Sequence, residues 1–279
     1  AGVAALGTAS RALRCGVAVT APELVLLFPL TLYAVGGEAG GAALASVECF
    51  DAGSNTWKPS QPLHTPRSGC AAVAMGGYVY AVGGCSADGE DLSSVERFDL
   101  HKLDWEPLPS MPGGRDELAA AATDGRVYVV GGSHLVWPVR HVIDTVECFN
   151  PASSVWETLP SLSRERCAAA AVAVGGCVYV LGGCDEDGTA LDSAERYSVE
   201  FGAWEPLPPM WRPRCNFAAA VSGGHVFVAG GYDDRMRDLD AVERLDPAQP
   251  CSWETVASLA VPRWGARAVG RGGAIFVVG

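Results

Sequence analysis

The sequence predicts an all-β protein, a β-propeller of five complete four-stranded blades followed by the first two strands of a sixth. Three observations carry this. An apolar run ending in Gly-Gly recurs along the chain, each doublet is followed by an acidic segment and then a tryptophan, and the steps between doublets are nearly constant. The runs are YAVGG (33–37), YAVGG (80–84), YVVGG (128–132), YVLGG (179–183) and FVAGG (227–231), with FVVG (276–279) stopping after one glycine. The first glycines, at 36, 83, 131, 182, 230 and 279, are 47, 48, 51, 48 and 49 residues apart, and a period of that length marks a repeat architecture.

Each unit reads as four short strands. An Ala-rich strand such as 168–174 turns at Gly175-Gly176 into 178–181, and after Gly182-Gly183 come a third strand and a Trp-bearing fourth. Small residues suit strands that crowd towards a common axis, whereas the larger tryptophans at 57, 105, 156, 204 and 253 belong further out, between neighbouring sheets. One such sheet cannot bury both faces alone, so the units must stack radially. The first unit departs from the rule, because Arg14 stands 22 rather than 16 positions before its paired-glycine site. We place the six extra residues among 20–30, since Gly16 and its neighbours match the small residues of the other units. Residues 1–30 then form a leader with an irregular first strand of blade one, and 31–279 form the propeller. The chain begins at Ala1 and reads as a fragment.

Composition narrows the function. Twenty basic residues against 32 acidic ones, net charge −12, argue against non-specific binding of nucleic acid or anionic membranes. No apolar run reaches the roughly 18 residues of a membrane helix. The basic residues are arginines except Lys58 and Lys102, so a positive site would be a planar fork suited to carboxylates or aromatic faces. None of the ten cysteines stands in C-x-x-C. Buried free thiols in a reducing compartment are expected, and with them a cytoplasmic location.

The segments SVECFD (46–51), SVERFD (94–99), TVECFN (145–150), SAERYS (193–198) and AVERLD (241–246), with the glycine doublets and spaced tryptophans, resemble the Kelch-repeat family over about residues 31–279. The stretch 66–84 is similar to the Kelch domains of BTB-Kelch proteins. That resemblance implies a substrate-recognition domain of a cullin-type ubiquitin ligase adaptor, whose dimerising and cullin-binding segments are not in these 279 residues. It also admits propeller enzymes and actin-linked scaffolds.

In an up-and-down sheet successive connections alternate between the two ends, so the loops between second and third strands share one face with the connections between blades. The loops at issue span 38–45, 85–93, 133–144, 184–192 and 232–240. Candidate partner-binding residues on this face are the tryptophans outside the repeat, Trp137, Trp211 and Trp264, since Trp and Arg are enriched in binding hot spots. The loop arginines Arg140, Arg212 and Arg235 join them. The recurring Arg67, Arg115, Arg166, Arg214 and Arg263, each 16 positions before the next paired-glycine site, admit two roles. They could read a partner peptide, as arginines do in Kelch adaptors, or pair once per blade with Glu48, Glu96, Glu147, Glu195 and Glu243. No catalytic, metal or cofactor set is expected: Cys184-Asp-Glu-Asp-Gly188 fails the calcium-loop positions, and the five histidines form no metalloprotease motif.

Overall fold

The structure is a computed structural model that describes residues 3–5, 16–19, 31–51, 53–136, 138–271 and 273–278. Among these there is no helix, and so none that could cross a membrane. Five four-stranded antiparallel sheets follow one another. Blade 1 comprises Gly16–Val19, Thr31–Val35, Val47–Asp51 and Thr56–Pro59, and blade 2 comprises Ala71–Met75, Tyr78–Val82, Val95–Asp99 and Asp104–Leu108. Blade 3 comprises Ala119–Thr123, Arg126–Val130, Val146–Asn150 and Val155–Leu159; blade 4, Ala170–Val174, Cys177–Leu181, Ala194–Ser198 and Ala203–Leu207. Blade 5 comprises Ala218–Ser222, His225–Ala229, Val242–Leu245 and Glu254–Val256. A sixth, partial sheet holds Arg267–Arg271 and Ala274–Val278, and Val3–Ala5 pairs in parallel along the outer edge of the latter. Unpaired strand edges invite further pairing, and this short strand covers the one left by the incomplete blade.

The innermost strands touch in circular order from blade 1 through blade 6 and back to blade 1. The core is correspondingly divided into packets between adjacent sheets. Tyr80, Val82, Val127 and Phe149 lie between blades 2 and 3, and Leu32, Phe50 and Val269 lie where blade 6 meets blade 1. The tryptophans of the fourth strands wedge where expected. The indole N–H of Trp105, Trp156, Trp204 and Trp253 donates to the carbonyl of Gln61, Pro109, Pro160 and Pro208 in the preceding connection, at 2.9, 2.9, 2.8 and 2.9 Å. The indole donor is thereby satisfied while its rings fill the gap between blades.

The Gly-Gly doublets are required by backbone geometry. Gly182 and Gly183 have φ of 51° and 99°, and a Cβ on either would stand 2.6 Å from a backbone oxygen, of Arg214 and Cys167 respectively. Only glycine accommodates both constraints. The first strand of blade 4 starts at Ala170 rather than at the expected Ala168, because Ala168 has a left-handed φ of 48° that ends the connection. In blade 1, Gly16–Val19 pairs with Thr31–Val35, and residues 20–30 lie outside the described part.

One cysteine pair departs from the free-thiol expectation. Cys184, opening a loop of blade 4, and Cys215, in the connection to blade 5, are joined as a disulfide with Cα atoms 5.7 Å apart. The two lie in different units, yet both connections run beside the axis on the same face. Seven other cysteines among the described residues are free.

Candidate functional site

The face predicted to carry function is assembled by hydrogen bonds between the two kinds of connection. The carbonyls of Arg67, Arg115, Arg166, Arg214 and Arg263 accept from the N–H of the second doublet glycines, Gly37, Gly84, Gly132, Gly183 and Gly231, at 2.8–3.0 Å. One residue further, Ser68, Asp116, Cys167 and Cys215 bridge to the first loop residues Cys85, Ser133, Cys184 and Tyr232. The next position forms a chain around the axis. Gly69, Glu117, Ala168, Asn216 and Gly265 all have left-handed φ, and each N–H from Glu117 onwards donates to the carbonyl of its predecessor, at 3.1, 2.8, 3.1 and 2.7 Å. This collar surrounds a narrow cavity of about 60 Å³ lined by Glu38, Asp116 and Glu117 with Arg267. The mouth of the axis is therefore acidic.

The recurring arginines do not open onto that mouth. Arg67, Arg115, Arg166 and Arg214 are 0, 3, 1 and 0% exposed. Nη1 of each donates to the carbonyl of the first doublet glycine 16 residues on: Gly83, Gly131, Gly182 and Gly230, at 2.8, 3.3, 2.9 and 2.8 Å. Nη2 pairs with Glu96, Glu147, Glu195 and Glu243 at 2.8, 2.8, 3.0 and 2.5 Å. The constant spacing thus serves the guanidinium, which ties the connection to the second and third strands of its blade at their loop-face ends. A charge sealed inside in this way is out of reach of a partner, so these four are corrected from binding residues to scaffold. Arg263 is half-buried and its carbonyl supports Gly231.

The other candidates divide by position. Trp211 is 70% exposed, with its N–H held by Glu243 and its indole N–H by the carbonyl of Trp253, at 2.8 and 2.7 Å. Trp264, 41% exposed, meets the Tyr232 ring edge-on. The connections carrying them flank the loop at 232–240, since Cys215 bridges Tyr232 and Arg263 N–H donates to the Leu239 carbonyl. Arg235 and Met236 stand exposed on that loop, as does Arg212 beside Trp211. Asp233 shapes the loop by accepting from the N–H groups of Arg235 and Arg237 and from the Arg237 guanidinium; these bonds hold its carboxyl down at about 2. Blade 5 therefore presents exposed aromatic and arginine side chains alongside the exposed Asp234, Asp238 and Asp240. Trp137 lies outside the described residues.

Arg140 is half-exposed and spans an acidic group. Its guanidinium lies 3.7 Å from Asp91 and 3.5 Å from Asp116, and donates to Ser133 Oγ at 2.6 Å. The potential ligand atoms of Cys85, Asp91 and Asp116 lie within 4.8 Å of one another, but Arg140 already supplies the positive charge that a metal would bring. Burial, reinforced by Glu117 and Asp91 against the pull of Arg140, pushes the Asp116 carboxyl up to about 6. Sequence reasoning missed Asp116, although it follows directly on a ring arginine where other blades carry Ser68, Cys167 and Cys215. In the acidic run at 185–187, Asp185 accepts from Thr189 N–H and pairs with Arg164.

A ring of four-stranded blades with one elaborated loop face defines a repeat β-propeller of the kind that serves as a protein-interaction module. The Kelch motif matches residues 28–64, 66–112, 114–163, 165–210 and 213–259, and the chain belongs to the Kelch-repeat family. Alpha-scruin of Limulus polyphemus is 44% identical over 61 residues, 22% of this chain and 7% of that protein. The chain thus matches only a small part of that relative's length.

Proposed function

We propose that this chain is a non-catalytic module that captures a segment of another protein on the loop face, with its main contact at blade 5. One observation carries the proposal: Trp211 and Met236, 70 and 71% exposed, lie with Trp264, Arg212 and Arg235 on the 232–240 loop and the two connections that bond to it. Large exposed apolar side chains rimmed by charge mark interaction surfaces, and Trp with Arg supplies most binding energy where it occurs. The neighbouring scaffold holds Trp211 by two hydrogen bonds, so little conformational freedom is lost when a partner covers it. By resemblance to BTB-Kelch proteins, the captured segment would be the recognition motif of a substrate of a cullin-type ubiquitin ligase, in the cytoplasm.

The test is selection of short displayed peptides on the purified chain, followed by Trp211→Ala, Arg212→Ala and Trp264→Ala. Each should weaken the selected peptides by about tenfold or more while the thermal midpoint stays close to wild type. Unchanged affinity in all three would refute the assignment to this cluster. The adaptor role is tested on the full-length protein, which should copurify with a cullin when it carries its partner; a partner-bearing preparation free of cullin would leave a stand-alone scaffold.

A further inference from the structure

The four buried arginine–glutamate pairs share a design but not a full set of donors. Glu96 accepts from the N–H of His64 and of Thr65 and from the His64 ring. Glu195 accepts from the N–H and hydroxyl of Ser163, and Glu243 from the N–H of Trp211. His64, Ser163 and Trp211 all stand three residues before the ring arginine. In blade 3 that position is Pro112, which has no N–H to give.

The consequence is visible in the polar inventory. Two kinds of buried atom without an aligned hydrogen bond are not particular to this position: the Nε shared by the ring arginines, and Trp57 Nε1. Apart from these, the buried side-chain polar atoms without one among the described residues are Asp91 Oδ1, Thr145 Oγ1 and Glu147 Oε2. The residues that carry them, Asp91, Thr145 and Glu147, all line one groove of about 730 Å³ between blades 2 and 3 on the loop face. Glu147 is 5% exposed and the Asp91 side chain 9%. Glu147 Oε2 is 2.8 Å from Arg115 Nη2 but off the line of its N–H bonds, and Asp91 Oδ1 has Arg140 at 3.7 Å. Buried acceptors without aligned donors are costly and rare, and three on residues of one groove point to a ligand that brings donors.

We propose that this groove seats the ammonium of a lysine side chain from the partner segment, with Glu147, Asp91 and Thr145 as its acceptors. An ammonium carries three donors and no acceptor, which suits a groove whose residues hold three such oxygens. Glu90 at the rim adds negative charge, while Leu135, Ile143 and Pro112 offer apolar surface for the four-carbon stem. Gly113, exposed beside Pro112, leaves open space at the groove, since nothing stands within 4 Å of where its Cβ would be. The assignment rests on the peptide-capture reading above and places a second, chemically different contact on the same face.

Peptides selected on the wild-type chain provide the probe. A lysine should recur among them, and replacing it by acetyl-lysine should weaken binding about tenfold. Pro112→Ser installs the residue that blade 4 carries at this position, so it should fold, give Glu147 an internal donor, and abolish the advantage of lysine over acetyl-lysine. Glu90→Gln, an exposed change, should reduce that advantage several-fold. Peptides that bind through Trp211 but tolerate acetyl-lysine, or a lysine advantage unchanged in Pro112→Ser, would overturn this inference and leave the capture reading standing. Failure to select any peptide would refute the capture reading itself, and this inference with it.

Discussion

Blades 3 and 4 have the same strand order, the same tryptophan wedge and the same buried arginine–glutamate pair, yet one pair is closed and the other open. In blade 4, Glu195 takes hydrogen bonds from Arg166 and from both the N–H and the hydroxyl of Ser163. In blade 3, Glu147 meets Arg115 alone, and Nη1 of Arg115 reaches its two carbonyls at 3.3 and 3.5 Å rather than 2.9 and 3.2 Å. Electrostatics follow the bonding. Burial pushes the Glu147 carboxyl up and Arg115 offsets it only in part. At Glu96 burial acts in the same sense, but the His64 N–H and Arg67 outweigh it and hold the carboxyl below the usual range. A repeat supplies its own controls, and function is best sought where one copy lacks what its sisters have.

Removing the carboxylates breaks the comparison most strongly. Glu195→Gln should cost about 3–5 kcal/mol, because it strands a buried guanidinium. Glu147→Gln should cost about 1–2 kcal/mol less, since fewer well-formed bonds are lost there. Denaturant unfolding of both variants measures the gap, and equal losses would show that the two pairs are equivalent. Exchanging the third residue before each arginine is gentler. Ser163→Pro should destabilise by about 2 kcal/mol by orphaning Glu195, and Pro112→Ser should stabilise by about 1 kcal/mol after the entropic benefit of proline is lost. A stabilisation from both changes, or from neither, contradicts the account.

Asp116 sharpens the contrast between blade 3 and the others through pH. Its carboxyl stands at about 6 in the folded chain against an ordinary 3.8, so the folded state holds this proton more tightly than the unfolded one. Its contribution is favourable in acid and is lost as pH rises between those values. Asp116→Asn should therefore stabilise by about 2 kcal/mol at pH 7.5 and have little effect at pH 4. Thermal melts at both values test the sign; a larger gain in acid would place the perturbing charges wrongly.

Most of the fold was legible because five copies of one pattern had to bury the same surfaces. The wedging of Trp105, Trp156, Trp204 and Trp253 between blades follows from their place on the fourth strands, whereas Trp211 stands in a connection outside the repeat. The buried arginines were not separable from binding arginines in the same way. An Arg sixteen residues before a glycine doublet satisfies either role, and only burial, a property of the closed ring, decides. The disulfide was hidden for a related reason, since Cys184 and Cys215 belong to different units and meet only where two connections converge. Pro112 was legible in principle, being the one imino acid among His64, Pro112, Ser163 and Trp211, but its meaning depends on which glutamate those residues face.

The most direct test of the account is amide hydrogen exchange of the chain with and without a selected peptide. Protection should fall on the loops at 232–240, 85–93 and 133–144, and leave unchanged the hairpins at Gly76-Gly77, Gly175-Gly176 and Gly223-Gly224 at the opposite end of the blades. Protection confined to those hairpins would contradict the claim that the loop face is where this propeller binds.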